Sequence, residues 1–350
     1  MRFPIGLTTQ LSAYIIRNKL AGERFVPLVL MLEPLFACNL TCTGCGRIRE
    51  YKDRTHERMT VQECLEASRE CGAPVVSVCG GEPLIHPQIG EITAGLVAMK
   101  RWVYLCTNGT LLAQAVGEVC PSTSPGPGLA RTGALRPSAR LILNVHIDGP
   151  HEVHDAIVER EGAYDAAVEG IRAAVAKGFC VTVNTTVYKQ TDMNQIDKLM
   201  TTLERMGVRH FMLSPAYSYE SVDDKDAFLS RQEVYAKFAD IDRIAARHRL
   251  ADTPVYIEFL KGERELECTA WGNPTRNVAG WRSPCYLLAD RHFATYNELI
   301  ENTDWSSYGA GKDIRCRDCM VHCGFEPTAA LMLNRRRGDL WKTIKWQIRG

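Results

Sequence analysis

The chain has 350 residues, 45% hydrophobic and 24% charged, the balance of an ordinary folded protein of about two domains at ~150 residues each. Lys+Arg 42 against Asp+Glu 41 leaves a formal net charge of +1, which supplies no basic excess for nucleic acid. No apolar run approaches the ~18 residues of a membrane-spanning helix; the best, Phe25 to Leu32, contains Pro27 and ends at Glu33.

From the first cysteines to mid-chain, β-branched runs alternate with helical patterns, the signature of a parallel sheet with crossover helices. Six strands are expected, at Leu28 to Pro34, Val75 to Cys79, Trp102 to Thr107, Leu141 to Ile147, Phe179 to Val187 and His210 to Ser214. Between them, helices fit Thr60 to Cys71, Gln88 to Met99, a segment from near Leu111, Asp165 to Lys177 and Asn194 to Met206. Thr60 with Glu63 reads as a capping box. The Pro- and Gly-rich stretch Pro121 to Gly128, continuing to Pro137, reads as a surface loop. Beyond Ala216 the pattern predicts a long helix, Arg231 to His248, a short strand, Val255 to Phe259, and a cysteine-bearing tail. The expected organisation is an N-terminal amphipathic segment over 1–24, a barrel over 25–222 and a C-terminal domain over 223–350.

The N-terminus, Met1-Arg2-Phe3-Pro4-Ile5-Gly6, lacks a signal peptide's apolar block, so the chain is expected in the cytoplasm. In that reducing compartment the fourteen cysteines divide among metal ligands, reactive thiols and small buried hydrophobes. Cys38, Cys42 and Cys45 hold three thiols in one tight loop directly after the first strand. Structural zinc wants four protein ligands, commonly as separated pairs, so three thiolates better suit an iron–sulfur cluster with one iron left open.

That spacing, with Gly80-Gly81-Glu82-Pro83 after the second strand, resembles the signature of the radical S-adenosylmethionine (SAM) superfamily. The resemblance implies a partial (βα)6 barrel with a [4Fe-4S] cluster and SAM at the C-terminal strand ends, and a flavodoxin- or ferredoxin-type electron donor. It also implies cleavage of SAM to a 5′-deoxyadenosyl radical, with Gly80, Gly81 and Glu82 receiving the methionine ammonium. Asn108 after the third strand, Asp148 after the fourth and Asn184 on the fifth match positions that meet the rest of the cofactor. Asn108 and Asp148 also read as a plain turn residue and a helix cap.

In the tail, Cys268, Cys285, Cys316, Cys319 and Cys323 have chelating spacings, and four of them could hold an auxiliary iron–sulfur cluster or zinc. Glu33 to Cys42, Cys79 to Ile85, Cys268 to Pro274 and Cys319 to Gly324 together resemble the adenosyl-hopene transferases of hopanoid biosynthesis. This implies addition of the 5′-deoxyadenosyl radical to the alkene of hopene (diploptene), forming a carbon–carbon bond. The alternative is a radical SAM modifier of a peptide or other small molecule that uses an auxiliary cluster. Addition to an alkene leaves a carbon radical that must gain a hydrogen, and Cys106 is the favoured donor. Cys64, Cys71 and Cys180 read as structural. A bilayer-borne substrate would suit peripheral contact with the inner face of the membrane. Two segments could make it: an apolar face of Leu7, Leu11, Tyr14, Ile15 and Leu20, and the basic segment Arg335 to Arg349 with Trp341 and Trp346. Each reads equally as a helix packed on the domain.

Overall fold

The computed structural model describes residues 2–117, 134–332, 336 and 338–349. Most of the proline-rich stretch, with Cys120, and Arg335 and Arg337 lie outside the described residues. Six parallel strands, β1 (Val29–Glu33), β2 (Val75–Val78), β3 (Trp102–Thr107), β4 (Leu141–His146), β5 (Cys180–Val187) and β6 (Phe211–Pro215), lie side by side in sequence order. The free edge of β1 is extended by β7 (Thr275–Asn277), paired parallel, and then by β8 (Gly280–Pro284) and β9 (Ala289–Phe293), paired antiparallel. This is the parallel α/β sheet expected from the alternating pattern, in the strand order of the partial barrel that the resemblance implies.

The helices, in chain order, begin with α1 (Ile5–Leu20), α2 (Gly46–Glu50), α3 (Val61–Cys71), α4 (Ile89–Ala98), α5 (Leu112–Val116), α6 (His151–Val158), α7 (Ala163–Ala176) and α8 (Met193–Arg205). The C-terminal half adds α9 (Arg231–Phe238), α10 (Ile241–Arg247), α11 (Pro254–Leu260), α12 (Tyr296–Asn302), α13 (His322–Leu331) and α14 (Asp339–Arg349). The capping box forms at α3, where Thr60 and Glu63 each accept the other's backbone N–H.

Alternation along the strands sorts two faces. Val76, Val78, Val103, Leu105, Leu143 and Val145 pack with the helices in the main core. Residues one step away, Val75, Trp102 and Ile142, meet Leu7 of α1, which crosses the N-terminal ends of the strands. A cavity of about 210 Å³ lies there, lined by Phe3, Tyr104, Ile142, Asn144, Thr182 and Met212 among others.

Two expectations in the C-terminal half are corrected. The long helix is broken at Ala239–Asp240 into α9 and α10. Val234, Phe238, Ile241 and Ile244 are buried on both sides of the break, so the apolar period runs straight through it and hides it. Val255 to Phe259 is helical, within α11: the Thr253 side chain accepts the Tyr256 N–H, and Pro254 pre-sets the first turn. In the first apolar face, Leu7, Leu11, Tyr14 and Ile15 do pack inward, whereas Leu20 is exposed.

Candidate active site

Three loops converge at the C-terminal ends of β1, β2 and β3. The first carries Cys38, Cys42 and Cys45 and runs into α2, with Cys45 as its N-cap. It is pinned from below by Arg49, whose guanidinium donates to the carbonyls of Cys42 (3.0 Å) and Cys45 (2.7 Å). Burial pushes the Cys38 thiol up to about 12 and raises Cys42 further, with the neighbouring cysteines adding to both. Thiols in such a setting ionise only against a bound cation, which suits soft metal ligation.

The second loop is Gly80-Gly81-Glu82. Gly80 has φ +111°, open only to glycine in practice, and a Cβ on Gly81 would fall 1.9 Å from the Ala37 carbonyl oxygen. The Gly81 and Glu82 N–H groups donate to the Leu35 and Ala37 carbonyls at 3.2 and 2.8 Å, zipping this turn onto the cysteine loop. Close approach to its own chain is thus already a reason for the glycines. Glu82 is fully buried, and its carboxylate accepts from Leu84 N–H (3.0 Å), the Thr107 hydroxyl (2.7 Å) and Asn108 N–H (2.8 Å). Burial pushes its carboxyl up to about 7 despite these donors.

In the third loop Asn108 donates to Asn39 Oδ1 (2.9 Å), and its own Oδ1 accepts from Thr110 N–H (3.0 Å) and hydroxyl (2.7 Å). Its side chain therefore ties this turn to the cysteine loop. Asp148 is buried after β4: Oδ1 accepts from Thr186 N–H (2.7 Å) and meets His146 Nε2 at 2.6 Å, while Oδ2 has no partner among the described residues. Burial opposes charge on His146, but Asp148 outweighs it and raises the imidazole. Asn184 lies beside His146 in register and is half-buried. Deeper in the barrel, Cys106 Sγ lies 3.3 Å from Ser77 Oγ and accepts from Asn144 Nδ2 at 3.6 Å; Thr182 donates to Asn144 Oδ1 at 2.9 Å. Cys64 and Cys71 are buried in the main core, as expected of structural thiols, and Cys180 lines the cavity at the start of β5.

The five tail cysteines come together. Cys268, Cys285, Cys316, Cys319 and Cys323 line one small cavity of about 40 Å³ with Tyr217, Leu287 and Leu288. Burial raises all five thiols, pushing Cys319 up to about 12. Gly324 leaves room for Cys268, whose sulfur would lie 2.8 Å from a Cβ there. The thiols line one pocket without the close spacing of ligands to a single ion, which fits an iron–sulfur cluster better than zinc.

Between the two cysteine groups stands a wall that no motif spacing announced. Arg47 Nε donates to Glu33 Oε1 at 2.6 Å, both side chains being buried, and its guanidinium lies 4.4 Å from the Tyr286 ring centroid. Tyr219 is near enough to feel charge on both Cys45 and Cys323. Arg282, fully buried, donates to the Leu287 (3.3 Å) and Leu288 (2.7 Å) carbonyls and to Glu50 (3.1 Å) on α2, bridging the two loops.

Residues 32–203 match the model of the radical SAM superfamily. That stretch, from β1 to α8, is a radical SAM domain. Residues 211–343 match a second model, described as a domain of unknown function (DUF3463). Among curated relatives, it is 28% identical to the AdoMet-dependent heme synthase of Methanosarcina barkeri over 52% of this chain and 48% of that one. It is 28% identical to the pre-heme d1 synthase of Dinoroseobacter shibae over 86% and 74%. It is 23% identical to the antilisterial bacteriocin subtilosin biosynthesis protein AlbA of Bacillus subtilis over 81% and 60%. The chain thus spans about half the length of the heme synthase it matches. Streptococcus suis SuiB bound to precursor peptide SuiA shares the fold, with a TM-score of 0.62 at 13% identity over 94% of this chain and 77% of that one. So does anSMEcpe with bound AdoMet and Cp18Cys peptide, with a TM-score of 0.57 at 14% identity over 92% and 97%.

Proposed function

We propose that this radical SAM enzyme modifies a small molecule or peptide with the help of an auxiliary iron–sulfur cluster on four of Cys268, Cys285, Cys316, Cys319 and Cys323. The observation that carries this reading is that five half-buried cysteines line one pocket apart from the Cys38–Cys42–Cys45 loop. The relatives named for bacteriocin biosynthesis and heme synthesis support the class of chemistry and leave the substrate open. Iron near eight per fully reconstituted chain is expected, on the basis of about four per cluster. About four irons with one zinc would make the second site structural, and four with no zinc would remove it.

Cys38, Cys42 and Cys45 would hold the first cluster. When bound, that cluster and SAM supply an electron and a 5′-deoxyadenosyl radical. The glycine turn and Glu82 would receive the methionine ammonium, and Asp148 Oδ2 and Asn184 would offer polar atoms to the nucleoside. The Glu82 carboxylate must be ionised to hold both its three donors and an ammonium group. SAM affinity is therefore expected to weaken as pH falls through about 7, the value to which burial raises Glu82. The fold does not weaken with it, because a carboxyl raised in the folded state adds stability on the acid side that is lost as pH rises through about 7. Glu82→Gln should bind SAM about 10- to 150-fold more weakly, with no such pH dependence and with the first cluster intact. An unchanged dissociation constant would remove the role.

A more specific reading within this class is addition of the 5′-deoxyadenosyl group to the alkene of hopene. It is supported by the four sequence stretches that resemble adenosyl-hopene transferases and by apolar side chains left exposed on two terminal helices. Mass analysis after anaerobic incubation with SAM, reductant and hopene tests it: adenosylhopane supports it, and SAM cleavage with no hopene adduct overturns it. Cys106 is the proposed hydrogen donor to the adduct radical: its S–H bond breaks as the product C–H bond forms, and an electron from the external reductant with a proton from solvent restores the thiol. Burial raises its thiol, so the sulfur keeps the hydrogen it would give. Cys106→Ala should still consume hopene, but the adduct radical would pass an electron to an oxidised cluster and a proton to solvent, giving an unsaturated adduct about two mass units lighter. Only normal product, with external thiol omitted, would assign the donation to another group.

A further inference from the structure

Eight large apolar side chains are exposed among the described residues, and seven of them lie on just two helices, α1 and α14. On α1 they are Ile5, Ile16 and Leu20, which share one face at helical spacing, and Leu20 is 84% exposed. On α14 they are Leu340, Trp341, Ile344 and Ile348, again one face, with Trp341 60% and Ile348 65% exposed. At the edge of that face, Gln347 of α14 is buried and donates to the Phe3 carbonyl (2.8 Å) and the Thr8 hydroxyl (3.1 Å), so the two helices meet at their ends. Their inner faces are therefore satisfied by the fold, and their outer faces are apolar without being needed for it.

The charges on the same helices have one sign. The sequence of α1 contains Arg17 and Lys19 and no acidic residue. The sequence of α14 contains Lys342, Lys345 and Arg349 against Asp339, which is buried and held by both terminal nitrogens of Arg264 at 2.8 Å. Lys342 pairs with Glu258, whereas Lys345 lies over the Trp341 ring at 5.3 Å, and Arg17 over Tyr14 at 5.6 Å. The chain as a whole is nearly neutral, so this bias is local. An apolar helix face with an exposed Trp and flanking cations is the chemistry of a helix lying in the headgroup region of an anionic membrane. Pairing with a second copy through the same faces would instead bring like charges together.

We propose that the outer faces of α1 and α14 form a docking surface for an anionic phospholipid bilayer, with Trp341, Ile344 and Ile348 as its main insertion residues. This goes beyond the catalytic reading and does not rest on it. The test is co-sedimentation of the reconstituted full chain with vesicles of phosphatidylcholine alone or with about 30% phosphatidylglycerol, at low and high salt. The chain is expected to bind the anionic vesicles, more weakly at high salt, with a blue shift in tryptophan emission. Trp341→Glu with Ile348→Glu should lower binding at least about tenfold, and Ile16→Glu on the other helix should lower it independently. SAM cleavage without vesicles should be unchanged in each, which shows that the variants fold; if the α14 pair fails that control, Ile16→Glu decides. No binding to anionic vesicles, binding that the folded variants leave intact, or a dimer in solution that the same substitutions dissolve would each overturn the proposal.

Discussion

Alanine at any one of Cys38, Cys42 or Cys45 is expected to reduce SAM cleavage to background while iron in the tail site survives. If each thiolate holds a different iron, as we propose, the loss of one leaves a corner of the cluster without support. No neighbour can take its place, since the loop is fixed by the Arg49 contacts to two of its carbonyls and by the zipper from Gly81 and Glu82. Iron per chain should fall from about eight to about four. The remaining iron reports on Cys268, Cys285, Cys316, Cys319 and Cys323, which line a separate pocket across the Arg47–Tyr286 wall. Normal turnover in any one variant at normal iron content would remove that residue from the ligand set. Simultaneous loss of both iron pools would mean that the two sites assemble as a unit, as their link through Arg282 and Glu50 permits.

The sequence made the chemistry-bearing loops readable because they follow short apolar runs with the length and flanks of strands. β1 to β6 lie within a residue or two of their expected bounds, and the cysteine, glycine and Asn108 loops take their places from the strand ends. What hid was structure created by tertiary contact. Thr275-Arg276-Asn277 has no strand signal of its own; it is a strand because the edge of β1 is free to pair with it. α11 hid behind an apolar run that suits strand and helix alike, although Thr253-Pro254 announced its start. The residues between the cysteine groups were beyond reach for the same reason. Glu33 ends a strand, Arg47 sits in a short helix, and Tyr219 and Arg282 come from the C-terminal half. No spacing joins them until the tail folds over the barrel.

That wall carries the largest expected effect on stability. Arg47→Met should destabilise the protein by about 3–5 kcal/mol, the usual consequence of leaving one member of a buried ion pair without the other. Glu33 is wholly buried, its Oε2 already has no partner among the described residues, and Arg47 Nε is the donor to Oε1. Burial works against the charge of Arg47, but Glu33 and the surrounding Tyr219, Tyr286 and Glu50 outweigh it and hold the guanidinium charged. Arg47 therefore keeps its charge across the working range. Replacing both members, Arg47→Met with Glu33→Leu, removes the stranded charge and should recover most of the stability. Denaturant midpoints of the single and double variants, in the same state of reconstitution, measure the difference. A double variant as unstable as the single would show that Arg47 acts mainly through Tyr286, Tyr219 and Glu50, on the side facing the tail cysteines, and not through Glu33. Cluster loading separates the two further: α2 follows Cys45 directly, so a loosened Arg47 should lower iron in the first site before it affects the second.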